Sequence, residues 1–265
     1  MIMRRLLLAG SIAILGAFVA QAQGEPHVQM ASSPTPNVVI SRFDNAQFPA
    51  FEKFLSSEKV PLQRASFVLT NNSDKAIVGI DVEWLTTDKG GRQRHYSFRS
   101  DRYLSPGPGT VALAHDRLLV APGIFIPESL LASGAGYVRG DFSKGLEGEF
   151  AAAAEITVSL DCLIFEDGEV TGPNLKRFTD ELQMRRFAAD AVMKRVRSAI
   201  QRGQQPSVAL AELLDTPPRT GDFLGKWEHN FAKDLSRSGN FEMEKKRLEN
   251  LPSPPTFYRA NGGSL

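Results

Sequence analysis

The chain has 265 residues, of which 42% are hydrophobic and 23% charged, with a formal net charge of +1. That apolar content suffices for one large core or two smaller ones, and so even a charge excludes a chain held to nucleic acid by an overall positive field. The one cysteine, Cys162, excludes an intramolecular disulfide.

The chain opens MIMRRLLLAGSIAILGAFVAQAQG, with Arg4 and Arg5 ahead of an apolar or small run from Leu6 to Val19 that ends in Ala20-Gln21-Ala22. This is the three-part plan of a secretory signal peptide, so residues 1–22 are expected to be removed and the protein to be periplasmic or extracellular. The run is shorter than the roughly 20 residues a spanning helix needs. The mature chain is therefore expected to carry no transmembrane span. Loss of Arg4 and Arg5 takes the net charge from +1 to −1.

Residues 23–37, with Pro26, Pro34 and Pro36, lack apolar periodicity and read as a flexible leader. A β-sandwich is expected over 38–173, beginning with a strand at Val38–Phe43 and a short helix that carries Phe48, Phe51 and Leu55. In ASFVLTNNSDKAIVGIDVEW, two strand-type runs flank Asn71-Asn72-Ser73-Asp74. Val78, Ile80, Val82 and Trp84 alternate with Gly79, Asp81 and Glu83, the period of two of a strand with one wet face. The polar tetrad bonds its own backbone readily, so the pair is expected to be a hairpin. Asp88-Lys89-Gly90-Gly91 makes the next turn, before the strand-like RQRHYSFRSDRY. Further along, Ile156, Val158, Leu160 and Cys162 read as one alternating face, with Cys162 as a buried, inert thiol, and Glu166-Asp167-Gly168-Glu169 as the turn that follows.

After Pro173 the period becomes helical. A helical region is expected over 174–251: a long helix from about Leu175 to Arg202 with Gly203 as its C-cap, a short one opened by Pro206, and one capped by Asp222 with Phe223, Trp227, Phe231 and Leu235 on a stripe. A last helix follows Gly239-Asn240. Residues 252–265 read as a disordered, proline-rich tail. The fold class is thus α+β, an N-terminal antiparallel sandwich followed by helices.

Catalytic signatures are sparse. His27, His95, His115 and His229 make no i, i+3 or i, i+4 pair with one another or with Cys162, so no metal site is written and no cofactor is expected. A hydrolase assembled from His95, His115 and carboxylates such as Asp101 or Asp116 is one alternative. A periplasmic chaperone or assembly factor that offers a sheet edge to a client strand is another. The long helix is basic, with Arg185, Arg186, Lys194 and Arg195 among its cations. Such a face can meet an acidic partner or an anionic surface, or be the solvated side of a core-facing helix.

The segment FVLTNNSDKAIVGIDVEWLTTDKGG resembles the signature hairpin of small exported immunoglobulin-like bacterial modules of the F-x-L-Y-D type, with Asn71–Asp74 and Asp88–Gly91 in the positions of their turns. DCLIFEDGEVTGPN is similar to a segment of uncharacterised exported bacterial proteins. The resemblance implies an Ig-like sandwich with a binding or structural role and no catalytic residues. The expected function is a non-enzymatic interaction or structural protein of the cell envelope, with contacts at Asn71, Asn72 and Asp74, at Glu166–Glu169, or on the helix face of Arg185, Arg186, Lys194 and Arg195.

Overall fold

The computed structural model describes residues 26–30, 32–43, 60–103, 117–132, 146–238, 241–243, 246 and 254–260. The signal segment, the Phe48–Leu55 segment, His115, Asp116 and most of the last expected helix lie outside the described residues.

Among the described residues nine strands make two sheets. The first holds β1 (His27–Met30), β4 (Ile77–Asp88), β5 (Gln93–Asp101), β8 (Ala153–Phe165) and β9 (Val170–Thr171), in the order β1-β8-β4-β5 with β9 also on β8. The second is β2 (Val38–Arg42), β3 (Phe67–Asn71), β6 (Arg117–Ala121) and β7 (Ile124–Pro127), in that order. Three short helices, α1 (Val60–Arg64), α2 (Glu128–Ala132) and α3 (Leu146–Ala152), attach to them. The sheets share one buried cluster: Val38, Phe67, Leu69, Leu118, Val120 and Phe125 from the second meet Ile80, Val82, Trp84, Ile156, Val158 and Leu160 from the first. Each such side chain contributes about 1.5–3 kcal/mol on burial, which holds the two inner faces together. Trp84 Nε1 donates to the Ala65 carbonyl at 2.9 Å, the hydrogen bond a buried indole needs.

The expected hairpin is an arch. β3 pairs with β2 and β6, β4 pairs with β5 and β8, and the Asn71–Lys75 turn carries the chain from one sheet to the other. Period two is the same whether two runs pair or face each other, so sequence could not separate the cases. The expected leader contains β1, which pairs parallel with β8 and makes the first sheet mixed rather than antiparallel.

Two of the three register shifts between β4 and β8 reset the alternation over the core. Val78 is the extra residue between the pairs Ile77/Phe165 and Gly79/Ile164, and Asp161 the extra one between Asp81/Cys162 and Val82/Leu160. Val78 and Cys162 are therefore turned away from Ile80 and Leu160, with which they were expected to align, and into a cluster on the outer face of the first sheet. That face is not wet. α4 (Phe178–Gln201) lays Phe178 and Leu182 over Ala76, Val78, Cys162 and Ile164, so β4 is buried on both sides.

Local chemistry explains the helix limits. Asp161 at the bulge accepts Leu175 and Lys176 N–H on its two carboxylate oxygens, at 2.9 and 3.1 Å. Asn174, at φ 51°, accepts Phe178 N–H at 2.8 Å and starts α4 three residues later than the apolar spacing suggests. At the other end Gly203 N–H reaches Ile200 O and Gln204 N–H reaches Ala199 O, a Schellman close. Pro206 is the first residue of α5 (Pro206–Leu214). Asp222 accepts Gly225 N–H at 2.8 Å and caps α6 (Phe223–Ser238). The second half of α4, through Ala189, Val192, Val196 and Ala199, packs with Ala209 and Leu210 of α5 and with Ala232 and Leu235 of α6. Phe223, at the start of the expected stripe, is 65% exposed. Among the described residues no helix is long and apolar enough to cross a membrane.

Candidate functional site

Arg185 is one of four basic residues expected to face a partner, and it is spent inside the molecule. Asp81 on β4 is fully enclosed and accepts Arg99 Nε at 2.7 Å and Ser97 Oγ at 3.0 Å. Arg99 lies over the Phe178 ring and also pairs with Glu181 of α4. Glu181 and Asp101 each lie 3.8 Å from the Arg185 guanidinium, which stacks 4.8 Å from the centre of the Trp227 ring. The chain of charges ties α4 to the sheet and to α6. Burial raises Asp81 to about 6 against the pull of Arg99.

The other three basic residues diverge. Arg186 pairs with Asp190 along the helix at 3.3 Å. Lys194 and Arg195 are exposed and border a cavity of about 450 Å³ between α4 and α5, together with Ser198, Arg202, Ala209, Glu212 and Leu213. Arg195 also pairs with Glu228 at 3.2 Å. Lys194, Ser198 and Arg202 follow one another at four-residue steps on one helix side, so Ser198 and Arg202 were legible as companions of Lys194 even though they were not singled out. Arg195, Glu212 and Leu213 also line a second hollow of about 480 Å³ with Pro217, Arg219, Asp222 and His229. The Nδ1 of His229 is buried and has no partner among the described residues.

The two candidate loops meet at one end of the first sheet. Asn71 is buried and shapes its own turn, donating to Lys75 O at 2.7 Å and accepting from Ser73 N–H and Oγ. Asn72 and Asp74 are exposed. Lys75 then bridges to the other loop, 2.7 Å from Asp167 and 2.5 Å from Glu169, while Ala76 N–H donates to Glu166 at 3.1 Å. Bonds to Asp167 and then Glu169 hold the Lys75 ammonium above its ordinary range. Partial burial works against the charge on Asp167, yet its bonds from Lys75, the Glu169 N–H and Tyr258 keep it below the usual carboxylate range. Part of the expected disordered tail, residues 254–260, seats here: Tyr258 bridges to Glu169, and Phe257 enters the cluster with Tyr103 and Cys162. The buried Tyr103 hydroxyl has no partner among the described residues, and burial pushes it up to about 12.

His95 is exposed on β5. Asp101 lies six residues further along the same strand, about 20 Å at 3.3 Å per residue, and is engaged by Tyr103 N–H and Arg185. The two do not meet. The proposed third member, His115, is outside the described residues. No group of three metal-ligating side chains occurs among the described residues. Burial pushes the enclosed Cys162 thiol up, away from nucleophilic use.

No family model, no curated protein and no solved structure matches the chain.

Proposed function

We propose that this is an exported, non-enzymatic interaction protein of the cell envelope, in which an Ig-like two-sheet scaffold presents α4 and α5 to an acidic segment of a partner protein. The observation that carries the reading is the cavity where Lys194, Arg195 and Arg202 surround a space of about 450 Å³ against the single carboxylate of Glu212. Arg195 already has Glu228, so Lys194 and Arg202 are the cations whose charge is directed to a ligand. Ser198 adds a hydroxyl donor between them. Support for the Ig-like assignment comes from β1 and β2 being divided between the sheets and from the β3-to-β4 crossing. The β6–β7 hairpin departs from it, since the immunoglobulin edge strand precedes its neighbour in the chain.

The test is fluorescence anisotropy with a labelled oligo-glutamate peptide at low salt, followed by crosslinking in the envelope of the native host. K194E/R202E is expected to weaken peptide binding at least tenfold and to lose the crosslinked partner. R177E, a reversal at an exposed position outside the groove, is expected to retain both. Equal losses from both variants would reduce the effect to net charge, and absence of binding by the unaltered chain would reject the reading.

The assembly-factor alternative draws on β5, a nine-residue strand whose one strand partner among the described residues is β4. A strand-adding client would lie along the edge of β5 away from β4. Proline at Ser97 would then abolish client binding while leaving the acidic-peptide signal intact.

A further inference from the structure

The segment Pro254–Ala260 is held as a bound peptide would be. Tyr258 exchanges main-chain hydrogen bonds with the 168–170 turn: its N–H donates to Gly168 O at 3.1 Å, and its carbonyl accepts from Val170 N–H at 2.8 Å. The Tyr258 hydroxyl donates to Asp167 at 2.7 Å. Arg259 reads two successive carbonyls with its fork, Nη1 to Gly172 O at 2.7 Å and Nη2 to Pro173 O at 3.0 Å. Phe257, 6% exposed, fills a socket beside Tyr103, ring centres 6.5 Å apart. Main-chain bonds that any sequence can make, joined to side-chain sites at alternate residues, are the features of recognition by strand addition.

The seat is also cut to admit a main chain. Thr256 O lies 2.5 Å from where a side chain on Gly168 would begin, and Gly168 has φ +94°. Beyond Arg259 the surface continues into a cavity of about 450 Å³ between Pro34–Pro36, Glu169–Pro173 and Ala260. The hydrogen-bond partners just named for Tyr258 and Arg259 lie within residues 167–173. In sequence the tail lies eight positions beyond Lys246, the last helical residue described before it. Seat and occupant are thus separate stretches of the chain.

We propose that this groove is a peptide-recognition site, that its ligand is an extended protein segment carrying an aromatic residue two positions before an arginine, and that the C-terminal tail is its intramolecular competitor. A tethered competitor acts at an effective concentration of the order of millimolar, so an outside segment gains access when the tail is displaced or weakened. Arginine is specified over lysine, because two carbonyls a residue apart suit a planar fork of donors rather than a single ammonium.

The probe is a labelled peptide of residues 254–260, PPTFYRA, titrated by anisotropy against the chain from Gln23 onward and against two tail-released variants, F257A/R259A and Y258P. Circular dichroism and thermal melting establish their folded state. Saturable binding to either folded variant, at least tenfold tighter than to the unaltered chain, is expected. Peptides with Phe→Ala or Arg→Lys should bind at least tenfold more weakly than PPTFYRA. Folded variants that fail to bind would overturn the proposal, as would equal affinity for the unaltered chain. Loss of fold in both variants would overturn it too, because the tail would then be an inseparable part of the core.

Discussion

Asp81 is a carboxylate enclosed on β4, facing Arg99 and Ser97 from β5, Glu181 from α4, and Asp161 and Cys162 from β8. Its native value of about 6 lies above the ordinary 3.8, so the folded state binds the proton more tightly. The resulting stability is fully present below about pH 4 and is lost as pH rises through about 6, on the order of 3 kcal/mol in all. Urea unfolding at pH 4, 5 and 7 should show that decline in the unaltered chain and a much flatter profile in Asp81→Asn, which keeps an acceptor for Ser97 and Arg99. Gly168 belongs to the same scale. Alanine there meets both the positive φ and the Thr256 carbonyl, and is expected to cost about 1–3 kcal/mol and to speed amide exchange at Tyr258. Cys162, fully buried, should resist an aromatic disulfide reagent until denaturant is added, and react in one step with unfolding.

Elements whose limits are set by their own few residues were legible in the sequence. The Gly203 close, the Pro206 start, the Asp222 cap and the Asp88–Gly91 turn each depend on side chains within five positions, and all stand where the pattern puts them. What escaped depends on residues far away. The Asn71–Lys75 turn is an arch because β3 and β4 each have better partners elsewhere, and neither partner is written near it. β4 was read as half wet because nothing local announces that α4 will cover Asp81 and Val78. The weight of that covering can be measured. Phe178→Ala empties a fully buried position under Arg99 and is expected to cost about 3–5 kcal/mol in urea unfolding. An equivalent loss is not expected from Phe187→Ala, on the same helix but 66% exposed.

At the scale of the whole molecule, one 24-residue helix serves two interiors. Its first half completes the outer cluster of the sheet and its second half builds the cluster with α5 and α6, while the chain from Asp81 through Arg99, Glu181 and Arg185 links the two by charge. Sheets and helices should therefore unfold together. In a Trp227→Phe chain the remaining indole, Trp84, reports the sheets and circular dichroism at 222 nm reports the helices; their midpoints should coincide, and separated transitions would show α4 to be a passive link. The candidate basic face was legible as composition but not as geometry. Counting cations along α4 finds Arg185 and Lys194 alike, whereas only the fold assigns the first to Asp101 and Trp227 and leaves the second beside a cavity.

The extra residue at Asp161 gives β8 two reading frames. Upstream of it, even-numbered side chains, Ile156, Val158 and Leu160, enter the space between the sheets; downstream, the odd-numbered Leu163 and Phe165 do. Removing Asp161 itself would close the bulge and leave Leu160, Cys162 and Leu163 on the faces they hold, forfeiting only the carboxylate that receives Leu175 and Lys176 N–H. Removing Leu163 instead would transpose the contents of two interiors, sending Phe165 out under α4 and Ile164 inward. Length is therefore as tightly constrained as residue type on either side of the bulge, and tolerance to a lost residue should be confined to the bulge itself.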